Sequence, residues 1–201
     1  MANKTIQEWR GIRGLVAAEV VTDDAETYET STPFAVAGVA ELSRSTEATS
    51  EAHYYDNAPA VVIDSTGSDE VTISASAIPF DVLAKLTGQH YDEATGMFIE
   101  GERESKYFAI GYITKKTDGT EVFVWRLKGK FNIPDSTHTT EDDGADASGQ
   151  ELVFTGVNTN HKFTKRNKTE KAVNVDTSVN KLDETEFFAT VQTPDTVKAS
   201  V

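Results

Sequence analysis

The 201 residues carry 33 Asp and Glu against 19 Lys and Arg, for a formal net charge of −14, and contain no cysteine. That composition is ordinary for a globular chain, excludes disulfides and thiol chemistry, and opposes a whole-molecule attraction to nucleic acid. The longest apolar run, Ala58–Ile63, is far short of the roughly 18 residues that span a membrane, and the opening MANKTIQEWRGIRG lacks a signal-peptide core, so synthesis in the cytoplasm is expected.

Taken in chain order, most segments read as strands. Leu15–Thr22, Val36–Arg44 and Ala60–Ile63 are expected strands, separated by polar loops at Asp23–Thr32 and Ser43–Asp56. After a further loop at Asp64–Glu70, Val71, Ile73, Ala75 and Ala77 alternate with Thr72, Ser74 and Ser76, the period of a half-buried strand. Pro79–Leu86 (PFDVLAKL) is the clearest helix: Pro79 suits a first turn, Asp81 favours the positive end, and Gly88 suits a left-handed cap. Val82, Leu83 and Leu86 give it one apolar stripe.

Tyr107–Phe131 is the best hairpin, with Asp118-Gly119 as a two-residue type I′ turn. That register sets Lys116 opposite Glu121, and Thr114, Tyr112 and Ile110 beside Phe123, Trp125 and Leu127. On the reverse face Gly111 and Ala109 would lie beside Arg126 and Lys128, leaving room for long cationic stems. Strands at Leu152–Val157 and Phe187–Thr193 follow, separated by polar stretches at Ile133–Gln150 and Asn158–Glu186. The expected class is mainly β: an antiparallel sandwich or barrel with one short flanking helix at about 79–87 and long loops.

Charge is unevenly distributed. Residues 17–100 hold 16 acids against only Arg44 and Lys85, whereas His161–Lys171 (HKFTKRNKTEK) has five bases and one acid. Arg126, Lys128 and Lys130 form a basic row in the strand FVWRLKGKF. Such a row could hold phosphate, meet carboxylates of a neighbouring strand or subunit, or face water.

No catalytic constellation emerges. Gly144–Gly149 has P-loop glycine spacing, but Gln150-Glu151 stands where the phosphate-binding Lys and its Ser or Thr would be. Glu141-Asp142-Asp143 lacks the closing glutamate of an EF-hand-like loop, position 150 being Gln150. His53, His90, His138 and His161 show no paired ligand spacing. An enzyme, a cofactor and a metal site are therefore not expected. A carbohydrate- or surface-binding β-sandwich is the alternative, with Trp9, Tyr54, Tyr55 and Trp125 as its available aromatics.

Several segments, in order, resemble the major tail (tail-tube) proteins of long non-contractile-tailed bacteriophages of Gram-positive hosts. They are Glu41–Asn57 ending in HYYDN, AIPFDVLAKLTGQHYD (77–92), the hairpin and lysine-rich strand within 107–140, ELVFTGV (151–157) and FFATVQTP (187–194). The stretch Asn158–Glu186 departs from that pattern by being longer and more basic. The resemblance implies one domain over 1–201, with an N-terminal arm at about 1–11, a long loop or hairpin at about 41–57, a polar loop at about 133–150 and a variable segment at about 158–186. It also implies hexameric rings stacked into a tube in the virion. That tube would surround a tape-measure protein, join tail-tip (distal tail) and terminator proteins, and pass double-stranded DNA.

An acidic wall suits such a passage, because a basic one would trap the polyanion through counterion release. Glu41, Glu47, Glu51 and Asp56 are the candidate acids of the lumen, and Arg126, Lys128 and Lys130 the candidate cations of a subunit interface.

Overall fold

The computed structural model describes residues 6–135 and 149–199. Most of the expected polar loop, including Glu141–Asp143, Gly144 and His138, lies outside those residues.

The chain begins with β1 (Trp9–Asp23), β2 (Tyr28–Thr30) and β3 (Phe34–Ala35), then two long strands, β4 (Val39–Tyr55) and β5 (Ala58–Ala75). Helix α1 (Phe80–Thr87) and a small hairpin of β6 (His90–Asp92) and β7 (Met97–Ile99) follow. The second half contributes β8 (Phe108–Lys116), β9 (Glu121–Phe131), β10 (Gln150–Gly156), β11 (Ala172–Asp176) and α2 (Glu184–Ala189). One antiparallel sheet runs β2-β1-β8-β9-β10-β5-β4, with β3 added to β1 and β11 added to β9.

This sheet buries both faces of its centre. One core joins Leu15, Val71, Ile73, Ile110, Tyr112, Leu152 and Phe154, and α1 closes over it with Leu83 and Leu86. Gly88 ends α1 at φ 74°, the left-handed geometry glycine adopts without penalty. The second core joins Ala109, Ile113, Phe123, Trp125, Leu127, Phe163 and Phe187 on the other side.

Three expectations change. The polar stretches 43–56 and 64–70 are strand, not loop, except for Asp56 in the turn: β4 and β5 form one long hairpin with register shifts between Thr46 and Ala48 and between His53 and Tyr54, because backbone pairing with a neighbour needs no apolar alternation. Phe187–Thr193 is not a strand. It begins inside α2, a second helix whose Asp183 carboxylate accepts the Glu186 N–H at 3.1 Å.

The β8–β9 register also differs by one residue. Gly119 alone of the Asp-Gly pair has positive φ, 91°, and the Gly119 N–H donates to Lys116 O at 3.0 Å. The result is a three-residue loop with glycine in a bulge, so Lys115 faces Glu121 and Trp125 faces Gly111. By the two-residue period this moves Trp125 against Gly111 and Ala109, not against Tyr112. Glycine is needed there for packing, since an added Cβ would meet Val16 and Phe188 at 2.9 Å and Trp125 at 3.0 Å. A second bulge between Arg126 and Gly129 switches faces again, placing Leu127 in one core and Phe131 in the other.

Candidate assembly surfaces

Beyond Asp69 the β4–β5 hairpin leaves the sheet. Strand β10 ends at Gly156, opposite Asp69, so the rest of β5 pairs only with β4. At about 3.3 Å per residue the free arm reaches about 35 Å. Its end is a two-residue turn, Asp56-Asn57, with φ of 51° and 63°, between the paired residues Tyr55 and Ala58. This is the type I′ geometry expected elsewhere in the sequence, and the Asp-Asn dipeptide after two tyrosines was its signal.

The arm is exposed on both faces. Tyr54, Tyr55, Val62 and Ile63 expose 67, 63, 59 and 54 % of their surface. Residues 45–66 carry Glu47, Glu51, Asp56 and Asp64 and no Lys or Arg. Glu47, Glu51 and Asp56 therefore stand on the free arm, whereas Glu41 lies at its root, opposite Ser74. Strand β4 also ends the ladder, giving a 17-residue edge with β5 as its sole pairing neighbour among the described residues. Long open edges pair with other chains unless something blocks them.

Arg126 and Lys128 are buried and satisfied within the chain. Arg126 donates to the Asp69 carboxylate at 2.7 Å and to the Tyr112 hydroxyl at 3.3 Å. Asp69 also meets Lys171 at 3.1 Å and Arg44 at 3.8 Å. Burial pushes the Asp69 carboxyl up, but hydrogen bonds from Lys171 and Thr46 and the charges of Lys171 and Arg126 outweigh it and hold it below the usual value. Lys128 donates to Asp23 at 2.6 Å. Burial raises the Asp23 carboxyl too, and Lys128 together with the Asn160 and His161 N–H groups brings it below its ordinary value. Lys130 differs: it is half-buried, with its ammonium 4.5 Å from the Tyr107 ring centre. Arg126 and Lys128 thus meet carboxylates on β5 and β1, each one strand removed from β9, acids that alternation alone could not single out.

Between β1, the hairpin root, β9 and β11 lies an open cleft of about 1100 Å³, lined by Trp9, Ile12, Leu42, Arg44, Tyr112 and Arg126 among others. Trp9 stands at this cleft and is 67 % exposed, while Trp125 is fully buried and donates its indole N–H to Phe187 O at 3.3 Å. Trp125 is therefore not available to a glycan. Among the described residues no group of His, Asp and Glu is arranged to hold a metal ion.

A further surface went unassigned in the sequence, the basic turn at 159–171. Phe163, 2 % exposed, anchors it against Tyr28, ring centres 5.8 Å apart. Asp23 accepts the backbone N–H groups of Asn160 and His161, and Asp195 accepts those of Thr164 and Lys165 at 2.8 Å. Two carboxylates thus fix a turn whose Lys162, Lys165, Arg166 and Lys168 all face solvent.

An antiparallel β-rich body with an open edge, an exposed acidic arm and a rigid basic turn has the makings of a self-assembling subunit. The family described as phage tail tube protein matches residues 19–192. No curated protein matches the chain. The match covers most of the chain, β1 through α2, and the chain belongs to the phage tail tube protein family.

Proposed function

We propose that this chain is the repeating subunit of the tube itself, in which copies join side by side into hexameric rings and the rings stack head to tail. The observation that carries this reading is the 17-residue open edge of β4 continuing into a free arm with apolar tip residues. A lone subunit gains nothing from exposing Val61, Val62 and Ile63 together, whereas an interface core is built from such residues. Glu41, at the root where the hairpin is still sheet, is the acid assigned to the bore; Glu47, Glu51 and Asp56 on the free arm reach a neighbouring copy instead. Lys130 is the cation of the row left to meet that neighbour.

The bore surrounds the tape-measure protein and later passes double-stranded DNA, which an acidic wall repels. Tail-tip and terminator proteins close the two ends.

Negative-stain electron microscopy with light scattering tests this on concentrated protein, alone and co-expressed with the tail-tip and tape-measure proteins of its phage. Rings or tubes with a central hole are the expected result. A monomer under both conditions overturns the reading.

A further inference from the structure

We infer that the basic turn at 159–171 is the receptor for the acidic arm of a second copy of this chain. The inference rests on the tube reading and names one contact within it.

The charges are opposite in sign, three cations free among the described residues facing four acids. Lys162, Lys165, Arg166 and Lys168 face solvent on the turn, and of these four side chains only Arg166 is ion-paired, to Glu170 at 3.4 Å. Lys162, Lys165 and Lys168 have no ion-pair partner among the described residues. The arm presents Glu47, Glu51, Asp56 and Asp64 with no compensating Lys or Arg. Within one copy these two groups leave each other unneutralised; between copies they are complementary.

Their placement is that of a heterologous contact. Asp69 pairs with Gly156, Gly156 with Gly129, Gly129 with Phe108, and Phe108 with Glu19, so Asp69 on β5 lies level with Glu19 on β1. Four antiparallel steps make β5 parallel to β1, so the arm, running back from Asp69 to Ala58, points toward the end where β1 starts. The basic turn is tied to Asp23, at the other end of β1. The turn's last residue, Lys171, is bonded to Asp69 and Gly67 O at the arm root of the same copy, but the arm tip and the exposed cations tied to Asp23 lie toward opposite ends of the subunit, and a head-to-tail stack brings one to the other.

Rigidity distinguishes this turn from a solvated charge run. Beyond its Asp23 and Asp195 anchors, the turn closes on itself, the Phe163 N–H donating to Lys168 O at 3.0 Å and the Asn167 N–H to Phe163 O at 2.8 Å. A fixed set of cations loses little freedom on binding, which favours a defined partner.

Four proteins test the contact: wild type, a turn variant (Lys162→Glu, Lys165→Glu, Lys168→Glu), an arm variant (Glu47→Lys, Glu51→Lys, Asp64→Lys) and the six-fold combination. Every position is exposed, and Arg166, Glu170 and Asp56 are kept so that the turn and the arm tip hold their shape. Thermal unfolding confirms that each variant folds; sedimentation and electron microscopy then read assembly, and gel shift with double-stranded DNA reads nucleic-acid binding. Each single-sided reversal is expected to raise the concentration needed for assembly about tenfold or more, with recovery in the combination.

A turn variant that assembles like wild type overturns the contact while leaving the tube reading intact. Loss on both sides without recovery overturns the arm as the partner. Normal assembly with lost DNA retention reassigns the turn to nucleic acid. Wild type that never assembles removes the tube reading itself, a different failure from these three.

Discussion

The two large hairpins of this chain are built alike and serve differently. In β8–β9 both faces are covered: Trp125 and Leu127 look into one core, Tyr112 and Val124 into the other, and even Arg126 and Lys128 are 6 and 7 % exposed. In β4–β5 everything from Glu47 to Gly67 is exposed, and the apolar residues at the tip pack on nothing in the subunit. Backbone pairing is shared; what differs is whether side chains complete the subunit or await another molecule. The covered hairpin therefore carries the core of the subunit, and the association we propose falls to the other.

The largest blow to that division should fall on the covered hairpin. Trp125→Ala removes a fully buried indole and is expected to cost about 3–5 kcal/mol of unfolding free energy in a urea titration. A loss below about 1 kcal/mol would mean that β8–β9 is not where stability resides.

Next come paired acids of contrasting burial. Asp69→Ala leaves Arg126 buried without its carboxylate, an expected loss of about 3 kcal/mol. Asp64→Ala on the free arm should change stability by less than about 0.5 kcal/mol while weakening assembly. Equal costs by chemical denaturation would erase the distinction.

Acid offers a smaller and graded test. Asp69 and Asp23 are held below the ordinary aspartate value of about 3.9, so their contribution is fully present above about that pH and is lost as pH falls through their folded-state values. Urea midpoints measured from pH 6 downward should hold steady and then drop below about pH 4. In Asp69→Asn the drop should be shallower, since one depressed carboxylate is gone. A wild-type midpoint already falling by pH 5 would point to other groups.

The finest probe is Asn57→Gly at the arm tip, where φ is 63°. Glycine accepts that geometry at no steric cost and should raise amide protection around Tyr55 and Ala58 while leaving the global unfolding midpoint in place. A shifted midpoint would show that the arm unfolds with the body.

Much of this was legible in the sequence, and the exceptions share causes. Val71, Ile73 and Ala75 alternate because one face is buried, and the structure buries all three, whereas β5 stops at Ala75 and leaves Ala77 exposed. The helix at Phe80–Thr87 had its proline, its stripe and its glycine. By contrast STEATSEAH has no buried face, hence no alternation to read, although it is strand throughout. The β8–β9 hairpin was recognisable, yet Asp-Gly fits a two-residue and a three-residue loop, and that one residue decided which face met Trp125. Two aromatics at Phe187-Phe188 suggested a strand, although Asp183, three residues before Glu186, carried a helix-start signal.

The candidate site was less legible. Carboxylate partners such as Asp69 and Asp23 lie 57 and 105 residues from their cations, and only the fold brings them together.

The branching of β9 has a consequence for the order in which the chain can fold. One side of β9 is closed by β8, its immediate neighbour, but the other is shared: Val122–Arg126 pair with β11 and Gly129–Phe131 with β10. The strand that holds Trp125 thus keeps half of an edge bare until residues 172–176 have been synthesised. Such distant closure is slow, and an unpaired apolar strand is what chaperones recognise and aggregates recruit. A nascent subunit must pass through that window, and it is the docking of residues 172–176 that closes the strand holding Trp125.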